Sequence, residues 1–116
     1  MILVDTSRWI DHFRTGDPAL ITALSEGQVG LHPFILGELT LGVLPRRSST
    51  LAQLAALPCL VPAAHEAVLS FIERYRLVGS GIGWMDAHLL CAAQASGWAI
   101  WTRDRPLLAA VARVRR

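Results

Sequence analysis

Four carboxylates lie in surroundings too apolar for a solvated face. Residues 81–104, GIGWMDAHLLCAAQASGWAIWTRD, hold only two, Asp86 and Asp104. Asp5 ends the run MILV, and Glu38 is the one charge in PFILGELTLGVL. A charge withdrawn from water is costly unless it is paired or binds a metal. Converging carboxylates also raise one another's pKa values and destabilise a fold. A divalent cation resolves that conflict. Magnesium prefers oxygen ligands and keeps several of its waters. Such an ion activates water and stabilises the leaving oxygen of a phosphodiester. It also reconciles an acidic site with an anionic nucleic acid.

The elements that would position these acids are short. MILV reads as a buried parallel strand, and Asp5, Thr6 and Ser7 follow it as helix-capping residues. Trp9, Ile10 and Phe13 recur at helical spacing until Gly16 and Pro18. Leu20, Ile21 and Leu24 continue on a second helix, stopped by Gly27. QVGL is a short strand, and PFILGELTLGVL a helix with proline near its start. Ser48 to Leu57 forms another helix, and Pro58 and Pro62 bracket a short strand, CLV. A helix over His65 to Leu77, the loop GSGIG, a helix over Trp84 to Ser96 closed by Gly97, and the strand WAIWT follow. Pro106 opens a last helix, and RVRR finishes as an edge strand or a tail. Helices alternating with apolar strands predict an α/β fold, a parallel sheet covered on both faces. Ligands of such sheets bind beyond the carboxyl ends of the strands. If the first and last strands are neighbours, Asp5 and Asp104 share that crevice. Glu38, on a helix with almost no polar face, and Asp86, followed by apolar residues, are expected to face a crevice too.

Taken together, VDTSRWID, ILGEL, GWMDAHLLCAA and WTRDRPL stand in the order and spacing of PIN-domain nucleases. More narrowly, they resemble the VapC toxins of bacterial toxin–antitoxin pairs, over essentially the whole chain. Each motif alone is weak; four in order, at this length, are specific. The resemblance implies a single PIN domain over residues 1–116, a three-layer α/β/α sandwich with a central parallel sheet. It implies a Mg²⁺- or Mn²⁺-dependent endoribonuclease, a cognate VapB-type antitoxin and a homodimer. Its acidic positions fall on Asp5, Glu38, Asp86 and Asp104, and its small hydroxyl residue on Thr102. Asp5, Asp86 and Asp104 would then be metal ligands, directly or through water. Glu38 would bind through water or position the attacking water. Thr6 and Thr102 would orient these carboxylates by hydrogen bonds. Arg103 and Arg105, flanking Asp104, are the best candidates for contact with RNA phosphates.

Plainer readings compete at each position. Asp5 and Asp104 suit helix N-caps, and Asp86 suits the first turn of a helix. Glu38 is hardest to account for in that way. Asp11, Asp17, Glu26, Glu66 and Glu73 read as solvated or turn residues, and the four histidines lack metal-site spacing. The tryptophans suit core packing better than base stacking. A receiver domain needs a late lysine, and this chain has none. A haloacid-dehalogenase-like phosphatase needs an aspartate where Ser7 stands. The stronger alternative is a PIN-like module that binds RNA or protein without cutting, which loss of an acid would mark; none is lost.

Composition bounds the rest. The chain has 116 residues, 53% hydrophobic and 17% charged, which suits a compact core rather than disorder. Its net charge of +2 permits a nucleic-acid partner without demanding one, and its 11 basic residues are all arginine. No apolar run reaches the ~18 residues of a membrane helix. The start lacks a signal peptide's basic region, so a cytoplasmic protein is expected. Cys59 and Cys91 match no zinc pattern and read as small buried hydrophobes. Apolar side chains between Pro18 and Leu57 would serve a homodimer face or a groove for an amphipathic antitoxin helix.

Overall fold

A computed structural model gives the fold and describes residues 1–115. Three strands, β1 (Ile2–Val4), β2 (Val29–Gly30) and β3 (Ala99–Trp101), are set among seven helices. These are α1 (Thr6–Thr15), α2 (Pro18–Ser25), α3 (Pro33–Leu41), α4 (Arg47–Ala55), α5 (His65–Arg74), α6 (Trp84–Ser96) and α7 (Arg105–Val114). The strands form one sheet in the order β2-β1-β3, parallel throughout. β1 takes the centre because ILV is apolar without alternation, the pattern of a strand covered on both faces. Leu3 and Val4 are fully buried.

Two apolar clusters sandwich this sheet with helices, and α6 belongs to both. Leu89, Ala92 and Ala93 pack with Trp9, Leu20, Ile35, Leu39 and Leu54 from α1 to α4. Ala87, Leu90 and Cys91 pack with Val68 and Phe71 of α5 and Ala110 and Val114 of α7. A helix pressed from two sides has no use for a polar face. The helix ends are set locally. Asp5, Asp17 and Asp104 cap α1, α2 and α7 through their carboxylates, and His32 caps α3 through its ring. Gly97 ends α6 at φ 70°, a conformation that favours glycine.

The register decides where the acids lie. Val4 sits opposite Trp101, and the Asp5 amide donates to the Trp101 carbonyl at 2.9 Å. Chain leaving β1 and chain leaving β3 therefore emerge at the same edge, as neighbouring first and last strands require.

Four expectations need correction. CLV forms no strand: only Cys59 pairs, as an isolated bridge to Leu31, because the segment is held by just two backbone hydrogen bonds, from the Leu31 amide to the Pro58 carbonyl and from the Leu60 amide to the Leu31 carbonyl. Arg113 and Val114 end α7 and Arg115 is a turn, so RVRR makes no edge strand there; Arg116 lies outside the described residues. Cys91 is buried but Cys59 is exposed. Asp17 is no solvated residue: only 5% of its surface is accessible. Among the described residues, no helix is long and apolar enough to cross a membrane.

Candidate active site

Three helices begin at the shared edge of β1 and β3. Asp5 stands at the start of α1 and Asp104 at the start of α7, each as N-cap, and Asp86 lies in the first turn of α6. The plain capping readings are thus correct for Asp5 and Asp104. Asp5 accepts the Thr6 amide on one oxygen at 2.8 Å. Its other oxygen accepts the Thr102 hydroxyl, also at 2.8 Å. Asp104 accepts the Leu107 amide at 3.0 Å. Each carboxylate keeps further lone pairs for a ligand.

The three acids feel one another. The Asp86 carboxyl is pushed above the ordinary carboxylate value, first by burial and then by the charges of Asp5 and Asp104, against a hydrogen bond from the Gly83 amide. No cation answers them: among the described residues the ion pairs are Arg8–Asp17, Arg103–Asp11 and Arg103–Asp17. The Thr6 hydroxyl beside Asp5 is buried without a partner. An all-oxygen donor set with surplus negative charge fits a hard divalent cation. Among the described residues, no three acidic, histidine or cysteine side chains close into a cage around one ion.

Thr102 joins the two strand ends chemically. It is buried; its hydroxyl donates to Asp5 and accepts the Asp104 amide at 3.1 Å. One hydroxyl therefore fixes a carboxylate of one loop against the backbone of another. Thr102→Val, equal in shape, leaves both partners unmatched, and should cost about 1–3 kcal/mol in a urea melt. If Asp5 holds a metal, affinity for that metal should also fall by roughly 10–100-fold, the usual loss for a group that orients a ligand. Thr102→Ser should restore most of both.

The other expected residues are placed differently. Glu38 is exposed on α3 and is not among the charges that raise Asp86. It lines two open clefts, one with Ile10, Phe13 and Val43, the other with Phe34, Trp84 and Met85. Thr6 orients Asp5 through its amide rather than its hydroxyl. Arg105 is exposed and makes no ion pair among the described residues. Arg103 is turned onto Asp11 at 2.7 Å and Asp17 at 3.5 Å. His32 and His88 are buried, as structural histidines should be. Burial, helped by His88, lowers His32 to about 4, so its ring caps α3 as a neutral acceptor, 3.0 Å from the Phe34 amide. The Arg8–Asp17–Arg103–Asp11 network is invisible to sequence reasoning. Asp17-Pro18 does read as a helix start, but partners 9 and 86 residues away leave no local pattern.

No family model matches the chain. Among curated proteins, Ribonuclease VapC32 from two strains of Mycobacterium tuberculosis is 43% identical over 113 residues. The match takes in 97% of this chain and 91% of that protein.

Proposed function

The chain belongs to the VapC family of ribonucleases, and on that premise we propose that it is a divalent-metal-dependent endoribonuclease toxin, restrained by a VapB-type antitoxin. The observation that carries this reading is the set of three neighbouring aspartates, without a cationic partner among the described residues, at the edge where β1 and β3 end. Full-length similarity to a ribonuclease supports it independently.

Asp5, Asp86 and Asp104 would hold the cation. When bound, a divalent cation supplies the charge that activates water and stabilises the leaving oxygen of the phosphodiester. Thr102 keeps Asp5 aimed by its hydrogen bond. Glu38, on the cleft it shares with Trp84 and Met85, would help position the attacking water. Arg105, at the start of α7, contacts a phosphate flanking the scissile one. The antitoxin helix lays its apolar face into the cleft of about 360 Å³ beside Ile10, Phe13, Val43 and Leu44. A homodimer would cover other apolar side chains, of which Leu41, 86% exposed, is the most prominent on α3.

Water as the nucleophile, with the ribose 3′-oxygen as the leaving group, sets the products. RNA incubated with the chain and Mg²⁺ or Mn²⁺ should yield fragments ending in 5′-phosphate and 3′-hydroxyl, and a chelator should stop the reaction. Fragments ending in 2′,3′-cyclic phosphate, formed with the chelator present, would mean attack by the ribose hydroxyl and would overturn this mechanism.

A further inference from the structure

Arg103 stands beside Asp104 in a site that would act on RNA, which invites a role in gripping phosphate. The structure folds its guanidinium back along the surface onto α1 and α2 instead. One guanidinium nitrogen meets Asp11 of α1 at 2.7 Å, and another meets Asp17, the cap of α2, at 3.5 Å. Asp17 is anchored firmly: it accepts Arg8 at 2.8 Å and the Leu20 amide at 3.1 Å, and its own amide donates to His12 at 3.1 Å. Arg8 in turn lies over the Trp101 ring, 4.5 Å from its centre. Thr102 to Asp104 have no regular structure, and both flanks of this turn are gripped from α1 and α2. Trp101 is held by Arg8, and Arg103 by Asp11 and Asp17. Between them lies Thr102, whose hydroxyl joins Asp5 to the Asp104 amide.

A neutral cap would serve α2 as well, since asparagine caps helices as readily as aspartate. The charge of Asp17 matters to the two arginines. The Arg8 hydrogen bond holds the Asp17 carboxyl at about 2, so it is ionised at any working pH. Arg8 meets both Asp17 oxygens, so its fork fixes direction as well as distance, and Arg103 adds one longer contact to the same buried carboxylate.

We infer that Arg103 is a positioning residue rather than an RNA contact: anchored on Asp11 and Asp17, it sets the turn that aims Thr102 and Asp104 at the acidic site. The inference rests on the nuclease reading for its consequence in catalysis, but not for the geometry itself.

The two roles predict opposite outcomes for the same variants. Arg103→Ala removes an exposed side chain and spares the core. Asp17→Asn keeps the α2 cap and frees Arg103 from the more buried of its two anchors, leaving it Asp11 alone. If Arg103 positions the turn, both variants lower kcat and weaken Mn²⁺ affinity, read as the Mn²⁺-dependent rise in Tm, by about tenfold. KM and its salt dependence stay unchanged, and the double variant is no worse than either single one. Hydrogen exchange of the Asp104 amide, which needs neither metal nor RNA, speeds up by about tenfold in both variants, as expected for a bond that opens more often. If Arg103 grips RNA, Arg103→Ala raises KM and reduces the salt slope by about one, with kcat and Mn²⁺ affinity intact. Asp17→Asn then frees the arginine and lowers KM. That second pattern, or unchanged exchange at Asp104, overturns the inference. A wild-type chain that cuts no RNA would instead sink the nuclease reading, and the exchange rates would still decide how the turn is held.

Discussion

Asp86→Asn is expected to abolish RNA cleavage and, in the absence of metal, to make the chain more stable. Groups that merely orient metal ligands are worth roughly 10–100-fold, so loss of a ligand should exceed a hundredfold. The gain in stability follows from the pKa shift. Burial and the charges of Asp5 and Asp104 raise Asp86 above 3.8, its ordinary value. Below that value both folded and unfolded chains carry the proton, and Asp86 does not affect stability. As pH climbs from about 4 through the raised folded value, the folded state must give up a proton that it holds more tightly than the unfolded chain does. Stability is lost across that window, and the loss is complete above it. Asparagine has no proton to give up. Melting curves of variant and wild type should therefore converge near pH 3 and separate at pH 7, with the variant higher. Magnesium should close the gap by stabilising the wild type alone. A variant that melts below wild type at pH 7 would mean that Asp86 acts as a helix-dipole partner and not as a member of a repelling cluster.

Gly30→Ala should give the largest loss of stability of any single methyl added to the sheet. Gly30 pairs with Leu3 in the β2–β1 ladder. A Cβ there would fall 2.3 Å from the Trp98 ring and 2.8 Å from the Pro58 carbonyl oxygen. The ring lies at the end of a side chain, but the carbonyl is backbone and already accepts the Leu31 amide at 2.8 Å. Neither obstacle can yield without disturbing the central sheet or the bridge beside it. Overpacking of this kind costs about 3 kcal/mol, and for a domain of this size that lowers Tm by roughly 10 °C. Trp98→Leu in the same chain should recover part of the loss, because it removes the nearer obstacle. A melting point within a degree or two of wild type would mean that β2 can slide away from Trp98.

Much of this site is legible in the sequence because it is built from local rules. An apolar run followed at once by a cap residue is both a strand end and a helix start, so MILV-Asp5 and WAIWT-Arg103-Asp104 announce themselves. The same capping residues then converge, because parallel neighbours place their following turns at one edge. Asp86 is visible as the lone charge at the head of a helix apolar on all sides, the mark of an element packed between two clusters. Glu38 is harder to place. Its helix has few polar residues not because every side is enclosed but because Leu41 and the following Val43 point outward. Asp17 is expected on a solvated face but is buried, because two arginines distant in sequence are brought to it by the tertiary fold. Cys59 is misjudged because a cysteine on a one-bridge segment has no second neighbour to cover it.

The central claim is that Asp5, Asp86 and Asp104 together make a metal-dependent site for cutting RNA. The measurement that tests it most directly is a titration of Mg²⁺ and Mn²⁺ against RNA cleavage by the purified chain, beside an Asp5→Asn, Asp86→Asn double variant shown by circular dichroism to be folded. The account predicts cleavage that rises with either ion in the wild type and is absent from the variant at every concentration. Equal cleavage by both proteins, or a wild type that cuts as well in chelator as in metal, would contradict it and leave the three aspartates as helix caps and dipole partners.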